Sequence, residues 1–196
     1  MPLSHQTKLF GVNDAAVYKM LTDPPGAPPT YAAQVNVVGV KHLVSKMSMD
    51  IKTLRGDNTL LAADAVFREI SGDLAYAKFN FDLMAALMSS ATVADSGTTP
   101  NQITKITVSQ ADVPASFKIE AQSKQTDYIT GGVAGDMHFI LWKCTASSLD
   151  MFGFDEENYN NQGVSYTSFP VLGTPTGLPA NSWATALANE NNVSIV

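Results

Sequence analysis

Charge is scarce in this 196-residue sequence: Asp, Glu, Lys and Arg make up 15% of it, against about 25% in ordinary soluble domains. Bases are scarcer than acids, 12 against 18, for a net charge of −6. A dedicated nucleic-acid binder has the opposite balance. A single cysteine, Cys144, excludes an intrachain disulfide framework and a cysteine-based zinc site. Long apolar runs are missing too. The longest, around Met137–Trp142, is far short of the roughly 20 residues of a membrane helix. The stretch MPLSHQTKLF has no secretory apolar core. The expectation is therefore assembly in the cytoplasm without membrane insertion. Lysine and arginine stop at Lys143, so the C-terminal quarter is acidic only, through Asp150, Asp155, Glu156, Glu157 and Glu190.

What is present suits a folded β protein. Apolar residues are 45% of the chain and aromatics 9%, and a chain of this size removes roughly 70% of its extended surface from water on folding. Residues 1–30 read as an N-terminal arm, because Pro24, Pro25, Pro28 and Pro29 make a stiff, extended crossing segment. Val12–Leu21 before it reads as a strand or one helical turn. From Val35 the apolar period is two. Val35, Val37, Leu43, Met47, Met49 and Ile51 share one parity, and His42, Lys46, Ser48, Asp50 and Lys52 the other, as in a long half-buried strand bent near Gly39. Arg55-Gly56-Asp57-Asn58 reads as a hairpin turn.

The return strand runs from Ala65 to Phe79. Val66, Ile70, Leu74 and Tyr76 are assigned to one face, Phe67, Glu69, Ser71 and Asp73 to the other, and Gly72 to a bulge. Asn80 then caps a helix at about 81–90, with Asp82 in its first turn and Leu83, Met84, Leu87 and Met88 at helical spacing. Ser89–Gln102 reads as a loop. Further strands are expected at Ile103–Ser109, Ser116–Lys124, Met137–Ser147 and Gly163–Phe169, with Trp183–Ala188 as a helical turn. The sum is a mainly β chain, a β-sandwich or half-barrel with one flanking helix. It comprises an arm (1–30), a β-sandwich domain (31–170) and a C-terminal arm (171–196).

Chemistry-bearing motifs are weak. His5, His42 and His138 have no paired spacing for a metal. The acids at 150–157 lack the ladder of a calcium loop, and Gly131-Gly132-Val133-Ala134-Gly135 lacks the lysine of a phosphate loop. Asp95-Ser96-Gly97-Thr98 resembles the aspartic-protease motif, whose two copies share a proton, but it occurs once. Arg55-Gly56-Asp57 reads as turn chemistry rather than an adhesion signal. Trp142, Trp183, Tyr159 and Tyr166 are candidates for a sugar-stacking platform, which makes a monomeric carbohydrate- or partner-binding module the alternative reading. No catalytic, cofactor or metal residue is assigned, and no enzymatic activity is expected.

The order of several segments resembles the major tail proteins, or tail tube proteins, of long-tailed non-contractile bacteriophages. The stretches are Val17-Tyr18-Lys19-Met20-Leu21-Thr22-Asp23-Pro24-Pro25-Gly26, Pro29-Thr30-Tyr31, Leu54-Arg55-Gly56-Asp57-Asn58-Thr59, Asp95-Ser96-Gly97-Thr98-Thr99-Pro100-Asn101-Gln102, Gly135-Asp136-Met137-His138 and Gly153-Phe154-Asp155-Glu156-Glu157-Asn158-Tyr159. The resemblance spans roughly Phe10 to Phe169, places Asp95 in a loop, and leaves the chain after Pro170 without a counterpart. It implies a β-sandwich that forms hexameric rings, stacked into a tube whose inner barrel is closed by strands from all subunits. The implied partners are further copies of the chain, a tape-measure protein, tail terminator and tail-tip proteins, and double-stranded DNA in passage. The implied location is the virion tail.

A barrel of six subunits with four strands each, at about 4.8 Å spacing and about 40° tilt, has a backbone diameter of about 48 Å. Side chains of about 5 Å per wall leave roughly 38 Å, enough for a duplex. A net negative bore would keep phosphates from sticking. On this reading Glu69, Ser71 and Asp73 face the lumen. Leu54, Arg55, Asp57, Asn58, Leu60 and Leu61, an apolar-flanked tip, form the contact between rings.

Overall fold

The structure, a computed structural model, describes residues 8–56, 59–126, 133–150 and 162–189. In chain order the elements are β1 (Lys8–Thr22), β2 (Thr30–Tyr31), β3 (Val35–Asn36), β4 (Val40–Gly56), β5 (Thr59–Tyr76), α1 (Phe81–Leu87), β6 (Thr92–Ser96), β7 (Ile103–Thr107), β8 (Ser116–Thr126), β9 (Val133–Leu149), β10 (Gln162–Ser168) and β11 (Ala184–Asn189). The protein is mainly β, with antiparallel sheets and one flanking helix, as its period-two patterning predicts.

One large sheet has the order β2-β1-β8-β9-β10-β5-β4, with β3 joined to β1 and β11 to β9; β6 and β7 form a separate hairpin. The sheet curls until β1 approaches β4 without pairing to it. Its inner face then packs on itself, the arrangement of a sandwich. Ala15, Val17, Phe117, Ile119 and Leu141 come from the β1-β8-β9 half of the core, and Ile70, Leu74, Tyr76, Val164 and Tyr166 from the β10-β5-β4 half. Leu83 and Leu87 of α1 join the same cluster.

Both ends of this short helix are tied down, which matters because a helix of 7 residues is unstable by itself in water. The Asn80 Oδ1 accepts from the Leu83 backbone N–H at 3.1 Å, and its Nδ2 donates to the Asn36 carbonyl at 3.0 Å. Asp82 lies in the first turn, where the dipole favours an acid. At the other end the Lys19 ammonium donates to the carbonyls of Met88 and Ser89 at 2.9 and 3.0 Å. The Met88 carbonyl, at the C-cap, is one that a helix end leaves without an intrahelical partner.

Strand register explains why each side chain faces as it does, because residues paired directly across share a face. Three rows cross β4, β5 and β10 on the inner face: Leu43–Leu74–Val164, Ser45–Gly72–Tyr166 and Met47–Ile70–Ser168. The rows between them face outward: Val44–Asp73–Ser165, Lys46–Ser71–Thr167 and, on two strands, Ser48–Glu69. The middle inner row is the tightest. Tyr166 lies across Gly72, and its hydroxyl meets the Ser45 Oγ at 2.7 Å and donates to the Val44 carbonyl at 3.1 Å. A Cβ on Gly72 would collide with the Val44 carbonyl and the Tyr166 hydroxyl. Glycine is therefore required here by close approach. Burial pushes the Tyr166 phenol well above its ordinary pKa, although its bond to Ser45 works the other way.

Several expectations are corrected. Gly72 is paired on both sides and is not a bulge; the register slips between Ser48 and Met49 instead, where Arg68 is the extra residue. That slip reverses the parity beyond it, so Phe67 faces inward with Met49, and Val66 faces outward with Asp50. Half of the segment read as an N-terminal arm is β1, which pairs with β8 and buries Ala15, Ala16 and Val17 completely. The Ser89–Gln102 loop contains β6, which pairs with β7. Both of these strands are mostly exposed, so neither shows apolar alternation. The helix ends at Leu87 rather than near 90. Trp183–Ala188 is not helical: β11 is a strand with an unbroken register on β9.

Replacing Gly72 by alanine should lower unfolding stability by about 1–3 kcal/mol, the usual cost of overpacking, measured by urea denaturation. An unchanged midpoint would show that the β4 backbone at Val44 and the Tyr166 ring both move aside freely.

Candidate assembly surfaces

The outward face of β4, β5 and β10 carries all three residues read as lumen-facing. Glu69, Ser71 and Asp73 point away from the core, and Ser165 Oγ donates to Asp73 Oδ1 at 2.6 Å. The face is not uniformly acidic. Lys46, Lys52 and Arg68 are interleaved with Asp50, Asp64, Glu69 and Asp73 by the same register, and Arg68 pairs with Asp50 at 3.3 Å in an exposed ion pair. The negative charge of the chain is therefore not concentrated here.

The hairpin made by β4 and β5 outruns the body of the protein. β10 pairs with β5 only from Ile70 to Tyr76, so residues 59–69 of β5 project with β4 as a two-stranded ribbon, about 35 Å long at ~3.3 Å per residue. A two-stranded ribbon alone is marginally stable in water. Its inner face continues the apolar parity of the core past the point where the core ends. Met47 is 59% exposed, Met49 58% and Ile51 69%, beside Phe67 and Ala65 on the neighbouring strand. The period-two pattern correctly marks these side chains as sharing a face but wrongly implies that the face is covered. Trp183 covers its root, with its ring edge-on to Phe67 at 4.7 Å between centroids. Of the residues read as the ring-to-ring contact, Leu54, Arg55, Leu60 and Leu61 lie at the far end of the ribbon, where Leu54 pairs with Ala62 and Arg55 with Leu60. Asp57 and Asn58 lie outside the described residues.

The C-terminal segment folds back onto the body. Val171 is fully buried and exchanges backbone hydrogen bonds with Ser182 and Asn181, closing a loop. Asp23 fastens that loop. Its carboxylate accepts from the backbone N–H groups of Leu172 (3.1 Å) and Gly173 (2.9 Å) and pairs with the Lys143 ammonium at 2.8 Å. Burial alone would raise the Asp23 carboxyl, but the Lys143 ammonium and the two N–H donors outweigh it and hold the carboxyl below its ordinary pKa. Gly173 sits so close to the proline-rich turn that a Cβ would run into the Ala27 carbonyl. That turn is thus a docking platform for the chain's own C-terminal segment, a role its proline content did not reveal.

Polar side chains also gather on the outer face of β8 and β9. The Lys118 ammonium pairs with Glu120 at 3.1 Å and lies 3.8 Å from the centroid of the Tyr18 ring, with Tyr31 and Trp142 at 5.3 and 5.9 Å. His138 Nε2 lies 2.8 Å from Asp136 Oδ2, which also accepts from Gln122 Nε2 at 2.5 Å. Asp136 is fully buried. No group of three or more His, Cys, Asp or Glu side chains suited to a metal occurs among the described residues; His42 is exposed on β4, and His5 lies outside the described residues. Cys144 is buried, and burial pushes its thiol up to about 12, against an opposing hydrogen bond from Ser168.

The motifs with possible chemistry do not converge. Asp95 is exposed on β6 and accepts from Thr104 Oγ1 at 2.7 Å. It borders an open cleft of about 400 Å³ shared with Lys78, Asn80 and Asp82. The four aromatics of the proposed sugar platform are dispersed: Tyr166 is in the core, Trp183 packs on Phe67, Trp142 donates from Nε1 to Thr185 at 2.9 Å, and Tyr159 lies outside the described residues. Asp155, Glu156 and Glu157, and Gly131-Gly132, also lie outside them. No helix among the described residues is long and apolar enough to cross a membrane.

No protein-family model matches the chain, and neither does any curated protein.

The Asp23 site makes a signed prediction. Because folding lowers its pKa, the carboxylate contributes stability that is fully present above the ordinary carboxyl range and is lost as pH falls through the lowered folded value. Asp23→Asn should therefore be less stable than wild type near pH 7, by about 1–2 kcal/mol for charge-assisted hydrogen bonds. The gap should narrow in acid in thermal melts taken across pH. A gap independent of pH would remove the carboxylate from this role.

Proposed function

We propose that this chain is a structural subunit of a bacteriophage tail tube: it self-associates into hexameric rings that stack around a lumen, which holds a tape-measure protein during assembly and later conducts DNA. The reading joins the ordered resemblance to tail tube proteins with one observation, the ribbon of β4 and β5. An apolar stripe of Met47, Met49 and Ile51 standing in water is a liability for a monomer and a reason for copies to meet. The opposite face of the same strand pair is polar, with Glu69 at the root of the ribbon and Ser71 and Asp73 on the adjoining body. A strand with one apolar and one polar face suits the wall of a hollow cylinder, and closure of that wall removes the free sheet edges. Mixed charge on the outer face suits a surface past which DNA slides without being held. The protein belongs in the virion tail, assembled in the host cytoplasm, with tail terminator and tail-tip proteins as further partners.

Purified protein should form rings or tubes by negative-stain electron microscopy and fast-sedimenting species in ultracentrifugation. A particle that stays monomeric at high concentration, with tape-measure and tail-tip proteins supplied, would overturn the proposal. Ile51→Asp should leave monomer stability within about 0.5 kcal/mol, because the side chain is exposed, while abolishing assembly. Deleting residues 56–59 should block tube growth and leave folded, soluble protein. Normal tubes from either variant would count against the ribbon as the contact.

A further inference from the structure

Of the strand edges that lack a neighbour among the described residues, those of β4 and β11 differ in how they are guarded. The outer edge of β4 runs from Val40 to Gly56 with no partner strand. It carries Lys41, Lys46, Lys52 and Arg55 against a single acid, Asp50, and exposed lysines are a common protection of such edges. The outer edge of β11 has no such protection. Its sequence, Ala184-Thr185-Ala186-Leu187-Ala188-Asn189, has no charge and no proline, and its register on β9 contains no bulge. Leu187 is exposed, as is Ala186. Unpaired backbone donors and acceptors along a bare, small-residue strand form a template for another strand.

The position of β11 makes that edge usable. Ser168, the last residue of β10, pairs with Cys144 of β9, and Ala184, the first of β11, pairs with Leu141. Thus β11 resumes the line of β10 along β9 after the excursion through residues 169–183. On the far side of β10 lies β5, but β5 does not pair with β11. Past Ile70 it has no partner on that side, and the register slip at Arg68 follows at once, where a bulged strand bends. A notch is left in the sheet, with β11 on one side and the projecting part of β5 on the other.

We propose that the outer edge of β11 is a strand-acceptor site, and that its occupant is β4 of a second copy of this chain. The inference rests on the self-assembly reading and assigns its two contact edges. Charge selects the occupant. β4 has a net charge of +3, with four bases and one acid, in a chain whose net charge is −6, whereas no base follows Lys143. Pairing β4 with β4 would set lysines against lysines, which is unfavourable across a ladder. Pairing β4 with β11 sets them beside a strand that carries no charge. The alternation also fits. A strand added to β11 presents one parity to each face of the sheet, so Leu43, Met47, Met49 and Ile51 go to one side and Lys46, Ser48, Asp50 and Lys52 to the other. The contact is head-to-tail, with a different surface on each partner, the kind that generates rings where the rotation between copies closes and open filaments where it does not.

The test places a lysine on the acceptor. Leu187→Lys should stay folded in a thermal melt and raise the concentration needed for assembly, followed by sedimentation velocity, at least tenfold. Adding Lys46→Glu and Lys52→Glu to the same chain should restore most of the loss. If Leu187→Lys fails to fold, Ala186→Lys takes its place. Assembly of the lysine variant at the wild-type concentration overturns the acceptor site and leaves the self-assembly reading standing. Loss of assembly that charge reversal on β4 does not restore overturns β4 as the occupant. A wild-type chain that never assembles overturns both.

Discussion

Every backbone N–H and C=O in a strand requires a partner, and the unequal lengths of the strands decide where partners run out. β5 has 18 residues, yet β10 accompanies it only from Ile70 to Tyr76. Inside that window the sheet curls, the inner rows interlock and the core closes around Tyr166, Leu74 and Ile70. Outside it the same strand, with the same alternation, becomes a projecting ribbon. The stable body and the sticky ribbon are thus two parts of one strand pair, separated by the end of β10.

The row Ser45–Gly72–Tyr166 shows how the body holds that pair. An aromatic ring laid over a glycine restores packing that glycine lacks, and its hydroxyl bonds two strands away to β4. The root of the ribbon is thereby fixed to the core while its far end reaches outward. Trp183 extends the support by one more row through Phe67, and Asp23 holds the segment that delivers Trp183. The C-terminal segment is therefore tied into the same mechanical unit as the hairpin.

Much of the architecture was legible in the residues. The alternation of Phe117, Ile119 and Ala121, and Asn80 followed by Leu83 and Leu87, describe local preferences that tertiary packing did not overrule. The failures share a cause. β6 and β11 are short and poor in buried residues, so their backbone pairing leaves no apolar pattern to read. The parity error at Phe67 comes from one inserted residue, Arg68, which only the pairing with β4 reveals. Asp23 and Lys143 lie 120 positions apart in sequence, and no spacing rule connects them.

The sequence by itself determined which side chains share a face along each unbroken stretch of strand, because two-residue periodicity is a property of the extended backbone. It also determined the class of fold and the confinement of bases to the chain before Lys143. Only the tertiary structure decided which of those faces are covered. Met47, Met49 and Ile51 have the same parity as Leu43, but burial depends on whether another layer arrives above them. That depends on where β10 ends and where β11 resumes, a matter of long-range pairing rather than of local residue type.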